Sequence, residues 1–209
     1  TGNGCHCHVS VWNPSAKKNL FLDKKDEMGL SGLAYQFLGG VLHHARAACS
    51  FFNPTVNSYK RINAPPTLSG ATWAPNTVTY TGNNRTHMAR IPDPGRFELR
   101  LMDGATNPYL MQAVVLASGL DGIENKRDPG KRQDVNMYQY RRAAELKKLS
   151  VEKLPLNLLD ALRVTSDSKV LRARLGNELI DGYRKLKQIE WDHYASHLSQ
   201  WERDNTLDC

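Results

Sequence analysis

The chain has 209 residues, of which 40% are hydrophobic, enough for one large domain with a buried core. This composition excludes overall disorder. The net charge is +7, so an anionic partner has to be considered, but no basic tail or arm stands out and a nucleic-acid partner is not predicted. The longest apolar stretch, 113–120, is far shorter than the roughly 20 residues of a membrane span, so no membrane partner is predicted.

The first predicted element is a strand at 5–12. Its residues alternate, with His6, His8 and Ser10 on one face and apolar side chains on the other. A short second strand at 19–22 would complete a hairpin. Two histidines on one face could bind a transition metal, although from the spacing alone a solvated strand face is the favoured explanation.

The cysteines are interpreted as reduced thiols. Two of them lie on the apolar face of the first strand, which argues against a zinc site, a nucleophile and a disulfide scaffold, and favours a cytoplasmic location. The four are Cys5, Cys7, Cys49 and Cys209. The chain also starts without methionine and has candidate site residues in its first ten positions. We therefore expect it to be part of a longer protein.

Residues 30–52 predict an amphipathic helix packed on a sheet, since apolar side chains recur there at intervals of three and four. Asn53-Pro54 ends this helix, because a residue before proline disfavours helical backbone. The segment 62–84 is rich in Pro, Thr, Gly and Asn. We interpret it as a long functional loop, or flap.

Two more strands are predicted at 87–91 and 97–102, joined by a Pro-Asp-Pro-Gly turn. In the second, Arg96, Glu98 and Arg100 share the face opposite the apolar side chains. A carboxylate between two guanidiniums suits a face that meets an anion and a hard cation together. A surface ladder of ion pairs is the alternative at this stage.

Three further arginines, Arg61, Arg85 and Arg90, come from neighbouring segments, so five arginines share one region with little counter-charge. An anion is expected to complete such a cluster. Walker, Rossmann and G-x-S-x-G motifs are absent, which excludes those nucleotide sites and a nucleophile elbow. A buried helix is predicted from Asn107-Pro108 to about 125, and mainly helical chain beyond 130, ending with a helix at about 178–204.

Six blocks of sequence, in a consistent order over about 125 residues, resemble the C-terminal half of a glutamine synthetase family catalytic domain. They are GNGCHCHVS (2–10), NPTVNSYKR (53–61), NRT (84–86), RIP (90–92), RFELR (96–100), and NPYL with GLDGI (107–110 and 119–123). The resemblance implies an α+β fold with a curved antiparallel sheet, a partial barrel, backed by helices. It further implies that 1–130 form the C-terminal portion of the catalytic domain and 131–209 its helical tail.

The resemblance also implies roles for the charged residues. Arg85 and Arg61 would be catalytic, and Mg²⁺ or Mn²⁺ would be the cofactor. The implied metal ligands are His6 and Glu98, the implied ATP ligands are His8, Ser10, Arg85, Arg90 and Arg96, and the implied glutamate ligands are Gly2, Arg61 and Arg100.

The implied reaction joins glutamate to an amine at the expense of ATP, through γ-glutamyl phosphate, in a large ring-shaped homo-oligomer. The family's remaining metal-binding carboxylates lie upstream of this segment, so no activity is expected from the 209 residues alone. The flap lacks the family's Gly-Tyr-Glu, and no Asp or Glu occurs from Met28 to Pro92. This flap resembles that of a divergent, rhizobial-type branch of the family that includes γ-glutamylmethylamide synthetases, and Trp73, Pro75 and Tyr80 could form an apolar wall there for a methyl group. The acceptor is therefore ammonium, as in glutamine synthesis, or methylamine, as in γ-glutamylmethylamide synthesis. An inactive scaffold of the same fold is a second alternative.

Overall fold

The computed structural model describes residues 3–65, 67, 73–140 and 143–207. Short strands and longer helices make up an α+β fold, as predicted. The strands are β1 (Cys7–Val9), β2 (Tyr80–Thr81), β3 (Ala89–Arg90) and β4 (Phe97–Leu99). The helices are α1 (Gly32–His43), α2 (Ala45–Phe52), α3 (Val56–Ile62), α4 (Pro108–Glu124), α5 (Ala143–Leu149), α6 (Leu158–Asp167), α7 (Lys169–Leu175), α8 (Asn177–Ala195) and α9 (Gln200–Thr206).

The described strands form a small open sheet in the order β1-β4-β3-β2. β4 pairs antiparallel with both β1 and β3, but β2 and β3 run parallel, so the prediction of a purely antiparallel sheet was wrong. The seven-residue connection 82–88 carries the chain back from the end of β2 to the start of β3, and hydrogen bonds from Asn84 and His87 to the Val135 carbonyl hold it in place. The predicted partial barrel is not confirmed.

The core lies between the sheet and the helices α1 and α4. Phe37 of α1 contacts Phe21 edge to face, with ring centroids 5.5 Å apart, and Phe97 of β4 at 6.0 Å. α1 and α4 approach so closely that a Cβ on Gly40 would collide with the α4 backbone at Ser118 and Gly122. These contacts fix the sheet's apolar face against the helices.

Several predicted boundaries are confirmed and others needed correction. Asn107 caps α4, and Pro108 is its first residue, as expected. The single helix predicted for 30–52 is two helices, because the backbone leaves the helical conformation at His44, whose side chain bonds Asp121 of α4 at 2.7 Å. Residues 19–22 contribute only isolated bridges, not a strand.

The chain beyond residue 130 packs onto the first half through helices. Thr165 of α6 donates a hydrogen bond to the Ala47 carbonyl of α2, and the Tyr183 hydroxyl of α8 donates one to Ser50. The helix predicted at about 178–204 is interrupted at 196–199, between α8 and α9. None of the described helices has the length and apolar character needed to span a membrane. The division at residue 130 stays a prediction.

Candidate active site

One face of the sheet carries the charged side chains. Paired residues on neighbouring strands point to the same side of a sheet. The register therefore places four polar side chains in one row: His8, Glu98, Arg90 and Thr81. The next row faces the core and consists of Cys7, Leu99, Ala89 and Tyr80. The predicted two-sidedness of the strands is thus confirmed.

Glu98 is the centre of the charged row and is only 3% exposed. Its Oε2 accepts a hydrogen bond from Arg90 Nη1 at 2.8 Å, and its Oε1 accepts one from Arg100 Nη1 at 3.0 Å. Burial alone would raise the pKa of Glu98, but the hydrogen bonds and charges of the two arginines outweigh it and hold the pKa below its usual value. Glu98 is therefore an anion at neutral pH.

The two histidines flank Glu98 from β1 and the residues before it. His6 Nδ1 lies 3.0 Å from Glu98 Oε1, and His8 Nε2 lies 3.8 Å from the same oxygen. Burial and the nearby Arg100 charge lower the pKa of His6, so the ring is neutral at pH 7. A neutral imidazole beside a carboxylate is a pair of ligands that a divalent cation can use.

Arg61 is held in a buried position next to Gly4, near His6, with 6% of its surface exposed. Its Nε bonds Asp103 Oδ2 at 3.2 Å, and its Nη2 bonds both the Asn53 side chain at 3.0 Å and the Leu101 carbonyl at 2.6 Å. Nη1 has no hydrogen-bond partner within the described part of the chain and faces Gly4. The guanidinium thus has one free end, which is available to an anion.

Arg85 and Arg96 lie at the exposed margin of the cluster. The Arg85 side chain is exposed and has no polar partner among the described residues, while its carbonyl accepts a hydrogen bond from Arg100 Nε at 3.2 Å. Arg96 pairs with Asp93 and approaches His8 Nδ1 at 2.8 Å. Both arginines are therefore accessible to a solvent-borne anion.

The structure gathers most, but not all, of the predicted residues. The contacts above unite His6, His8, Glu98, Arg90, Arg96 and Arg100, with Arg61 and Arg85 beside them. Ser10 is exposed and accepts a hydrogen bond from Trp12 Nε1 at 3.1 Å, and within the described chain no hydrogen bond joins its side chain to the cluster. Gly2 lies outside the described residues.

Three residues that support the site were missed by the sequence analysis. Asp103 and Asn53 hold Arg61, and Asn83 accepts a hydrogen bond from Arg90 Nε at 2.9 Å. In the sequence, Asn53 begins the segment 53–61 that ends with Arg61, and Asp103 follows the segment 96–102 that contains Arg96 and Arg100. These positions alone do not indicate that either residue binds an arginine. Their partners are 8 and 42 residues away, so only the folded chain reveals the pairing.

The residues present fit a divalent cation in part. In the described chain, three or more His, Cys, Asp or Glu side chains nowhere converge as a metal site would require. His6 and Glu98 nevertheless supply two donors 3.0 Å apart, which is the separation of neighbouring ligands in an octahedron with metal–ligand distances of about 2.1 Å. The pair could therefore contribute two ligands of a site whose others come from elsewhere.

Comparison with known proteins identifies the family. Residues 1–206 match the family model described as glutamine synthetase, catalytic domain. Glutamine synthetases from Rhizobium leguminosarum bv. phaseoli and Rhizobium meliloti are 56% and 57% identical, each covering 100% of this chain. A glutamate–methylamine ligase from Methyloversatilis universalis is 45% identical over 99% of the chain.

The similarity extends to solved structures. A GmaS/ADP complex matches with a TM-score of 0.90 and 56% identity, and an apo GmaS with 0.87 and 53%, both over 100% of this chain. The chain spans only 46–47% of the length of these relatives and structures. Since the family model matches nearly all of the 209 residues, the chain belongs to the glutamine synthetase family.

Proposed function

We propose that this chain supplies one half of the active site of an ATP-dependent glutamate–amine ligase. The observation that carries the proposal is the charged face, on which a buried carboxylate is shared between His6, Arg90 and Arg100. The names of the relatives, glutamine synthetase and glutamate–methylamine ligase, support it. Since the chain spans about half of those relatives, the activity is proposed for the whole protein.

The charges suit the chemistry of phosphoryl transfer to a carboxylate. ATP and γ-glutamyl phosphate bring several negative charges together, so the main catalytic requirement is their neutralisation in a preorganised site. Arg90 and the exposed Arg85 and Arg96 would hold phosphate oxygens, with His8 and Ser10 contacting the nucleotide. Arg85 would also neutralise charge on the transferred phosphoryl group.

The glutamate carboxylates would be bound by Arg61 and Arg100, with Gly2 in the adjacent loop. Asp103, Asn53 and the Leu101 carbonyl hold Nε and Nη2 of Arg61 in place. Within the described chain the Nη1 group is left free to donate to a carboxylate, which supports this role. His6 and Glu98 would hold Mg²⁺ or Mn²⁺. When bound, the cation supplies further charge neutralisation at the phosphate oxygens.

The remaining ligands would come from residues outside this chain. The two donors His6 and Glu98 are too few for an octahedral cation site. We therefore expect no turnover from the 209 residues alone, and activity only from the full-length protein, as a large homo-oligomer. A cytoplasmic location, with Cys5, Cys7 and Cys49 as free thiols, also remains part of the proposal.

We take ammonium as the acceptor, with methylamine as the alternative. The absence of Asp and Glu from Met28 to Pro92 and the match to a glutamate–methylamine ligase favour the alternative. An apolar flap wall formed by Trp73, Pro75 and Tyr80 would have supported it, but Tyr80 lies on the core face and bonds the Gly130 carbonyl at 3.0 Å. Burying one methyl group is worth only about 0.8 kcal/mol, a few-fold preference.

Competition between the two amines tests the acceptor. The full-length protein is given Mg-ATP, glutamate, and ammonium and methylamine at equal concentration, and both products are quantified. Mainly glutamine is the expected result, whereas mainly γ-glutamylmethylamide would establish the alternative. If no phosphate is released with ammonium, methylamine or any other amine, only the inactive scaffold of the same fold remains. Glu98→Gln should abolish turnover, while Lys126→Gln, at an exposed position after α4, should not change it.

A further inference from the structure

Arg100 occupies an unusual position between the two proposed metal ligands. Its Nη1 is 3.0 Å from Glu98 Oε1 and 3.4 Å from His6 Nδ1, and those two atoms are themselves 3.0 Å apart. One guanidinium nitrogen therefore closes a triangle with the nitrogen and the oxygen that would bind a cation. The positive charge lies where it compensates the Glu98 carboxylate.

Arg90 provides an internal comparison, because it also pairs with Glu98. It bonds the other oxygen, Oε2, at 2.8 Å, and the Asn83 side chain holds it in that place through Nε. Arg90 therefore has no hydrogen bond to Glu98 Oε1 or to His6 Nδ1 within the described chain. The two arginines carry the same charge next to the same carboxylate, but only Arg100 fills the gap between Oε1 and His6 Nδ1.

A divalent cation and the Arg100 Nη1 cannot share this gap. Both would need the Oε1 and Nδ1 lone pairs, and two positive charges at such short range repel each other strongly. Beyond these two contacts, the Arg100 side chain makes one hydrogen bond within the described chain, from Nε to the Arg85 carbonyl. Nη1 can therefore move away from Glu98 while the bond from Nε to the Arg85 carbonyl still holds the side chain.

We propose that Arg100 stands in for the cation until the cation binds, and that cation binding releases the guanidinium for the glutamate carboxylate. This inference rests on the proposed function and adds a coupling to it. The same residue excludes one ligand and binds the other, so the cation and glutamate each strengthen the binding of the other. Reciprocity is required, since one coupling free energy links both equilibria.

Titration of the full-length protein with Mn²⁺, followed by electron paramagnetic resonance in the absence of substrates, tests the inference. Arg100→Gln and Arg90→Gln each remove one positive charge beside Glu98, so they change the general electrostatics alike. Only Arg100→Gln also removes the competing donor. A charge-assisted hydrogen bond lost from the competing state predicts Mn²⁺ affinity about tenfold higher in Arg100→Gln than in Arg90→Gln.

Equal affinity in the two variants, or weaker binding in Arg100→Gln, would overturn the inference. The same Mn²⁺ titration of Arg100→Ala shows whether the effect is particular to glutamine. Circular dichroism checks that each variant is folded. In the unmodified protein, glutamate should raise Mn²⁺ affinity, and this effect should disappear in Arg100→Gln.

Glu98→Gln separates the inference from the proposed function. It should remove the Mn²⁺ binding component that Arg100 competes for. If Glu98→Gln leaves Mn²⁺ binding unchanged, the proposed metal site is wrong and the inference falls with it. If Glu98→Gln abolishes Mn²⁺ binding but Arg100→Gln and Arg90→Gln bind Mn²⁺ with equal affinity, the proposed metal site stands and only the coupling is refuted.

Discussion

The buried pair of Arg61 and Asp103 gives a direct test of how the site is held. Asp103→Asn keeps the shape of the side chain and an oxygen for the Ala105 amide, which donates to Oδ1 at 2.9 Å. It removes the negative charge beside a guanidinium that is only 6% exposed. Arg61 would keep its bonds to Asn53 and the Leu101 carbonyl, so the loss is smaller than that of a fully stranded charge.

We expect Asp103→Asn to lower the free energy of unfolding by about 2–3 kcal/mol. The matched control is Asp93→Asn. Asp93 pairs with Arg96, which also lies on the charged face, but the Asp93 side chain is 59% exposed. An exposed pair contributes only about 0–1 kcal/mol, because water and salt screen it.

Urea unfolding of the 209-residue chain, followed by circular dichroism, measures the difference. With a slope of about 2.5 kcal/mol per molar urea, Asp103→Asn should shift the midpoint by about 1 M, and Asp93→Asn by less than about 0.4 M. Equal midpoints for the two variants would refute the reasoning, because they would show that the buried Asp103 charge contributes nothing that an exposed charge does not.

Two other predictions concern ionisation. Because the pKa of Glu98 is lower in the folded than in the unfolded chain, Glu98 stabilises the fold above its unfolded pKa and this contribution fades as the pH falls through the folded pKa. Glu98→Gln should therefore flatten the acid side of a plot of urea midpoint against pH; an unchanged acid limb would contradict this. Burial raises the pKa of Cys49 to about 12, so peptide mapping after alkylation at pH 8 should find Cys49 unmodified in the folded chain and modified in urea. Rapid native modification of Cys49 would show that the core is open there.

Local periodicity predicted the orientation of the charged residues correctly. Side chains alternate along any strand, so the sequence alone places Glu98 opposite Phe97 and Leu99, and the structure confirms these two as fully buried. The start of α4 was equally predictable, since Asn107 and Pro108 are local start signals. Such features depend on neighbours within a few residues.

Features that depend on distant residues were not predictable. The break at His44 accompanies a bond to Asp121, 77 positions away, and no pattern in 30–52 signals it. Tyr80 was assigned to the flap wall because the parallel register of β2 was unknown, and that register turns it to the core. Asp103 and Asn53 were missed for the same reason, since their contacts with Arg61 exist only after folding.

The position of β1 at one end of the sheet determines how the open side of the site could be completed. Neighbouring strands lie about 4.8 Å apart. A strand added along the outer edge of β1 would therefore run about 4.8 Å from His8 and about twice that distance from Glu98. Side chains from such a strand would meet the histidines first and would reach the carboxylate only across them. Side chains that complete the cation site from that edge must consequently be long, or they must approach from above the sheet. In either case His6 and His8 lie between the open edge and Glu98.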